Sequence, residues 1–112
     1  MTTTAETIQQ QLKQHPVIIY MKGTPELPRC GFSARAVQAL QATGVAFQSV
    51  DVLENPFIRE LLPKLSDWPT FPQVFAGGEL VGGCDIVTEM AAKGQLAPLL
   101  AAAVSEAAGV AQ

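Results

Sequence analysis

The stretch Pro28-Arg29-Cys30-Gly31-Phe32-Ser33 sets a cysteine just after a proline-rich loop and at the expected start of a helix. A thiol in that place meets unpaired backbone N–H groups and the positive end of the helix dipole, and both favour the thiolate. Lys22, at the end of the preceding strand, adds a positive charge nearby. Three residues after Cys30, where a redox pair would carry its second cysteine, stands Ser33. The chemistry on offer is that of a single reactive thiolate. A buried structural cysteine is the alternative, since free cysteines are often buried, yet Cys30 follows Thr-Pro-Glu-Leu-Pro-Arg and not an apolar run. Two cysteines and the single histidine, His15, show none of the paired spacings of structural zinc sites. A cysteine hydrolase would need His15 as its general base, and His15 falls at a helix end before the first strand, far from the loop tip.

The second signal is Trp68-Pro-Thr-Phe-Pro-Gln-Val-Phe75. Pro72 directly precedes a strand. A proline suits that place because it cannot donate to the ladder, and the place is compatible with a cis bond. A cis proline would turn the backbone N–H and C=O of Phe71 outward, free to pair with an extended peptide. A plain turn proline is the competing reading.

The whole chain bounds what these residues can serve. Its 112 residues are the size of one domain with one modest core, and neither a repeat nor a linker divides residues 1–112. With 48% apolar and 15% charged residues it reads as a compact protein. A net charge of −3 gives no broad attraction to nucleic acid or to an anionic membrane. No apolar run approaches the roughly 20 residues that span a bilayer. The polar N-terminus has no signal-peptide segment, so a cytoplasmic location is expected. Two cysteines are too few for a secreted disulfide framework.

The elements that must position the thiol follow from pattern. Thr3 and Glu6 have capping-box spacing, with Ile8 and Leu12 one turn apart, which predicts an opening helix. Residues 17–21, Val-Ile-Ile-Tyr-Met, predict a buried strand. Phe32, Ala36, Val37 and Leu40 mark one face of the next helix, ended by Gly44. Residues 46–52 alternate and predict a second strand. Asn55 and Pro56 suit the N-cap and first position of a helix with Ile58, Leu61 and Leu62, which Pro63 should kink or end. Residues 73–83 read as a hairpin turning at Gly77 and Gly78. Asp85 is expected to cap a helix ending at Gly94, and an Ala-rich helix starts near Leu96, its last ten or so residues a frayed tail. A β-α-β crossover gives a parallel pair and the hairpin adds antiparallel strands. The expected fold is α/β, a four-stranded mixed sheet with helices on both faces.

Lys-Gly-Thr-Pro-Glu-Leu-Pro-Arg-Cys-Gly-Phe-Ser, Trp-Pro-Thr-Phe-Pro-Gln-Val-Phe and Gly-Gly-Cys-Asp, in this order and spacing, resemble a monothiol glutaredoxin of the Cys-Gly-Phe-Ser class, single-domain type. The resemblance runs from about Thr4 to about Leu100. It implies the thioredoxin fold, glutathione binding, and the holding and delivery of a [2Fe–2S] cluster. It makes Cys30 the iron ligand and the reactive thiol. Lys22 would contact glutathione, and Arg59 would hold one of its carboxylates; on its own terms Arg59 is a solvated helix-face charge. Thr70 and Phe71 flank Pro72, and Phe71 would offer its backbone pair to the cysteinyl part of glutathione. Cys84 and Asp85 would take the γ-glutamyl end at a helix N-terminus; alone they read as a small buried hydrophobe and an N-cap. Gly82 and Gly83 would let the backbone approach the ligand.

A two-iron, two-sulfur cluster takes four thiolates. The resemblance assigns Cys84 a binding role, which leaves one cysteine per chain. Two chains and two glutathiones complete the set, so the cluster would sit between two protomers and hold the homodimer together. Ser33 prevents a local disulfide that would compete with it. Three functions follow: a cluster carrier or scaffold for apo iron–sulfur proteins; a monothiol oxidoreductase that removes glutathione from mixed disulfides, with low activity expected; and a regulatory adaptor with a BolA-type partner.

Overall fold

The computed structural model describes residues 2–110. Its sheet is built around Val17–Met21 (β1), five consecutive buried residues. Side chains alternate across a strand. Val17, Ile19 and Met21 enter one core cluster, and Ile18 and Tyr20 enter a second on the opposite face. Both faces are covered, which is why this run is apolar throughout. β1 pairs in parallel with Gln48–Asp51 (β2) and antiparallel with Gln73–Ala76 (β3). β3 pairs antiparallel with Glu79–Gly82 (β4), giving the order β2-β1-β3-β4. Gly77 and Gly78 turn the hairpin with φ of 60° and 81°, the left-handed region that a tight hairpin turn requires.

Five helices cover the sheet. Thr4–Gln14 (α1), which opens on the Thr3–Glu6 capping box, and Pro56–Ser66 (α3) bury Ile8, Ile58 and Leu62 against the Ile18/Tyr20 face. Gly31–Ala42 (α2), Cys84–Ala92 (α4) and Leu96–Val110 (α5) bury Ala36, Val37, Leu40, Val87, Leu96 and Leu100 against the other. The result is a thioredoxin-like α/β fold: a four-stranded mixed sheet with helices on both faces. The expected tail is helical as far as Val110, and its described side chains beyond Ala103 are exposed. Residues 1, 111 and 112 of the expected domain lie outside the described residues.

Three local expectations are corrected and one is narrowed. Of the two outcomes expected at Pro63, a kink or an end, α3 does not end there but continues to Ser66. A proline inside a helix costs roughly 3 kcal/mol, while burying Ile58 and Leu62 contributes about 1.5–3 kcal/mol each, so packing carries the helix through. Phe32 is 54% exposed and Ser33 is fully buried. The inner stripe of α2 is Ser33, Ala36, Val37 and Leu40, the i, i+3, i+4, i+7 set, and Phe32 lies one residue off it. The second strand spans Gln48–Asp51, shorter than 46–52; at its C-terminal end the Asp51 side chain turns the chain by accepting the Leu53 N–H at 2.9 Å. The cap of α4 is Gly83, which leaves Asp85 exposed in the first turn.

Candidate functional site

The Lys22–Gly23 pair directly follows β1 and anchors the loop to Cys30. Gly23 has φ 93°, and a Cβ there would lie 2.6 Å from the Leu27 carbonyl oxygen and 2.7 Å from the Arg29 nitrogen. Only glycine fits. The Lys22 carbonyl accepts the Arg29 N–H at 2.9 Å, and Thr24 and Leu27 exchange two backbone hydrogen bonds. The loop is therefore closed on itself and delivers Cys30 to the N-cap of α2.

Cys30 is partly exposed and has extended backbone, φ −151° and ψ 133°. Its thiol makes no capping hydrogen bond. Ionised, it is held below the ordinary thiol range, first by the backbone N–H of Ser33, then by that of Phe32, by the positive charge of Lys22 and by the Ser33 hydroxyl; partial burial opposes them. The expected thiolate bias is present, and backbone donors at the helix start contribute more than Lys22. Cys84 is the opposite case. It is buried, and burial pushes its thiol up, with the charges of Asp85 and Cys30 adding to the effect against Arg35.

Cys30 opens onto a cleft of about 750 Å³. Lys22, Cys30, Arg59, Thr70, Phe71, Pro72, Cys84 and Asp85 all line it. They come from the end of β1, the starts of α2 and α4, the outer side of α3 and the lead-in to β3. The Phe71–Pro72 bond is cis. Among the described residues the N–H and C=O of Phe71 make no hydrogen bond within the chain. The first helical bond of α4 runs from Val87 N–H to the Gly83 carbonyl at 3.0 Å, so the N–H groups of Cys84 and Asp85 precede the ladder and remain available to an anion. Chemically, the cleft combines one accessible thiolate, two cationic side chains, an unpaired backbone strip and a helix N-terminus.

Gly82, expected beside the ligand, is not at the cleft. It has φ 148°, and a Cβ there would lie 2.8 Å from the Ile86 side chain, so its role is to seat Ile86. Gly83 does line the cleft, and a Cβ on it would lie 3.1 Å from Trp68 Nε1. Phe32, Pro63, Trp68, Pro69 and Ile86 complete the lining and had been given no role there. The sequence carries a signal for three of them: Phe32 lies inside the Cys30–Ser33 motif, Ile86 follows Asp85, and Trp68 sits inside the motif that carries Pro72. Arg35 stacks its guanidinium on the Phe32 ring, 5.0 Å from the centroid.

The Glutaredoxin family model matches residues 17–81. Glutaredoxin 4 of Escherichia coli (strain K12) is 59% identical to this chain over 100 residues, 89% of this chain and 87% of that one. A probable monothiol glutaredoxin, GrlA, of Legionella pneumophila is 59% identical over 88 residues, 79% of this chain and 99% of that one. The crystal structure of a buckwheat glutaredoxin–glutathione complex superposes with a TM-score of 0.78 at 26% identity, covering 89% of each chain. A lone accessible cysteine at the start of α2, a cleft shared by five parts of the fold, and these matches agree: the chain belongs to the glutaredoxin family, in its monothiol branch.

Proposed function

We propose that the chain is a glutathione-dependent carrier of [2Fe–2S] clusters, the cluster being its cargo. The observation that carries this reading is the donor set. Among the described residues no three His, Cys, Asp or Glu side chains come together, and of the two thiols only Cys30 is both accessible and biased toward thiolate. Four thiolates bind such a cluster. Cys30 fits as one of them, a glutathione beside it supplies the second, and a second copy of the chain with its own glutathione supplies the rest. Half of the ligands are then exchangeable, which suits transfer to apo iron–sulfur proteins or to a complex with a BolA-type partner.

Glutathione is the small ligand the cleft fits. It is an extended peptide with two carboxylates, and the similar buckwheat protein forms a complex with it. Lys22 and Arg59 take carboxylate charge, the Phe71 backbone pairs with the cysteinyl unit, Thr70 and Pro72 shape that strip, and the N–H groups of Cys84 and Asp85 receive the γ-glutamyl end. A reducing compartment such as the cytoplasm suits a thiolate that must stay free.

A second reading, removal of glutathione from mixed disulfides by Cys30, draws on the same accessible thiolate. One experiment separates the two. The protein is reconstituted anaerobically with iron, sulfide and glutathione, sized by chromatography, and mixed with an apo-ferredoxin. A carrier forms a visible-absorbing dimer from an apo monomer, transfers its cluster, and turns over slowly in a glutathione-linked disulfide assay. A colourless monomer with brisk turnover would make the oxidoreductase reading correct.

A further inference from the structure

Asp51 ends β2 outside the cleft, yet it joins two of the cleft's walls. Its Oδ1 accepts the Gly23 N–H and the Leu53 N–H, both at 2.9 Å. The bond to Leu53 is an ordinary turn contact two residues along the chain. The bond to Gly23 crosses 28 residues of sequence. Asp51 also accepts through its backbone carbonyl, from Asn55 Nδ2 at 2.8 Å. Asn55 is the N-cap of α3, but its side chain makes no capping hydrogen bond and is turned to Asp51, to which its Nδ2 donates. The Asn55 carbonyl in turn accepts the Arg59 N–H at 3.0 Å.

A continuous hydrogen-bonded path therefore runs from Lys22–Gly23, through Asp51 and Asn55, to Arg59. We infer that Asp51 is the positioning residue that holds the Lys22 and Arg59 walls of the cleft in register. The inference rests on the glutathione reading, in which those two cations bind one ligand. Carboxylate groups on a ligand fix the separation their partners must keep, and flexible loop ends would have to be ordered at the moment of binding. One carboxylate oxygen shared between the β1 turn and the α3 lead-in makes that order part of the fold. The Ser33 hydroxyl receives the Lys22 N–H at 3.1 Å, so the Lys22–Gly23 pair is held by side chains from two different elements.

The test uses the apo chain and glutathione itself. Asp51→Ala should weaken glutathione about tenfold, the loss expected from two hydrogen bonds that set binding geometry. Asp51→Asn keeps an oxygen acceptor and should stay within about threefold of wild type on the same grounds. The loss caused by Asp51→Ala should shrink when Arg59 is already alanine, because the carboxylate's bond to Leu53 orders the lead-in to α3 and, through it, Arg59, while the bond from Asn55 to the Asp51 backbone carbonyl survives the substitution. Amide exchange is the readout independent of ligand: Gly23 and Leu53 should lose protection in Asp51→Ala and keep it in Asp51→Asn. Should Asp51→Ala not fold, Asp51→Ser takes its place. Wild-type glutathione affinity in a folded Asp51→Ala, or full additivity with Arg59→Ala, overturns the inference. If the wild type binds no glutathione, the glutathione reading fails and takes the positioning role with it, even where exchange shows the Asp51 bridge to be intact.

Discussion

The hydroxyl oxygen of Ser33 accepts the backbone N–H of Lys22 at 3.1 Å, and Ser33 is fully buried. The residue that stands where a second thiol would be thus ties the end of β1 to the first turn of α2. Its own O–H remains free to face the Cys30 sulfur, and it contributes to the lowered thiol. Ser33 therefore does more than withhold a disulfide partner.

Ser33→Ala should destabilise the fold by about 1–3 kcal/mol, since it leaves a half-buried N–H without its acceptor. It should also move the Cys30 titration upward. Urea unfolding and the ultraviolet absorbance of the thiolate against pH measure the two effects. An unchanged midpoint together with an unchanged titration would remove both roles.

The two thiols should separate by pH. The Cys30 value lies below the ordinary thiol range and that of Cys84 above it, so alkylation near neutral pH should label Cys30 first. The stability consequences have opposite signs. A depressed folded value makes the Cys30 contribution present above its unfolded value and lost as pH falls through the folded one. A raised folded value makes the Cys84 contribution present below its unfolded value and lost as pH rises through the folded one. Cys84→Ser should accordingly flatten the alkaline fall in unfolding midpoint. Equal labelling of the two cysteines would contradict the assignment. In the reconstituted protein, Cys30→Ser should abolish the cluster spectrum and Cys84→Ser should largely keep it.

Arg59→Ala should weaken glutathione by roughly one to two orders of magnitude with the fold intact, because a charge-assisted hydrogen bond to a carboxylate is worth about 1.5–3 kcal/mol. The holo form should then lose its cluster sooner at limiting glutathione and recover in excess. Lys22→Ala should do the same and also raise the Cys30 titration, by removing a positive charge that favours the thiolate. The measurement is cluster half-life against glutathione concentration. An Arg59→Ala protein that keeps its cluster as long as wild type at limiting glutathione would make Arg59 a solvated helix-face charge.

Local chemistry made much of this protein legible in its sequence. Three β-branched residues followed by Tyr20 and Met21 announce β1, paired glycines announce the hairpin turn, Thr3 and Glu6 announce α1, and Cys30 after a proline loop announces a thiol at a helix start. Each of these is decided within a few residues, by backbone sterics or by a capping hydrogen bond. The residues that line the cleft were legible in part through the same local motifs, and in part through resemblance, as with Arg59.

Tertiary structure decided the rest. Pro63 sits within a helix because Ile58 and Leu62 are buried beneath it, and that burial involves the sheet and α1, which no local pattern contains. Ser33 faces inward and Phe32 outward because Ala36, Val37 and Leu40 turn that face of α2 to the core, and there the Ser33 hydroxyl meets the Lys22 N–H from eleven residues earlier. Gly82 is a glycine on account of Ile86, and Asp51 reaches Gly23 across the strand pair. These are contacts between segments that only folding brings together, and a residue's polarity alone does not reveal which distant backbone group it will satisfy.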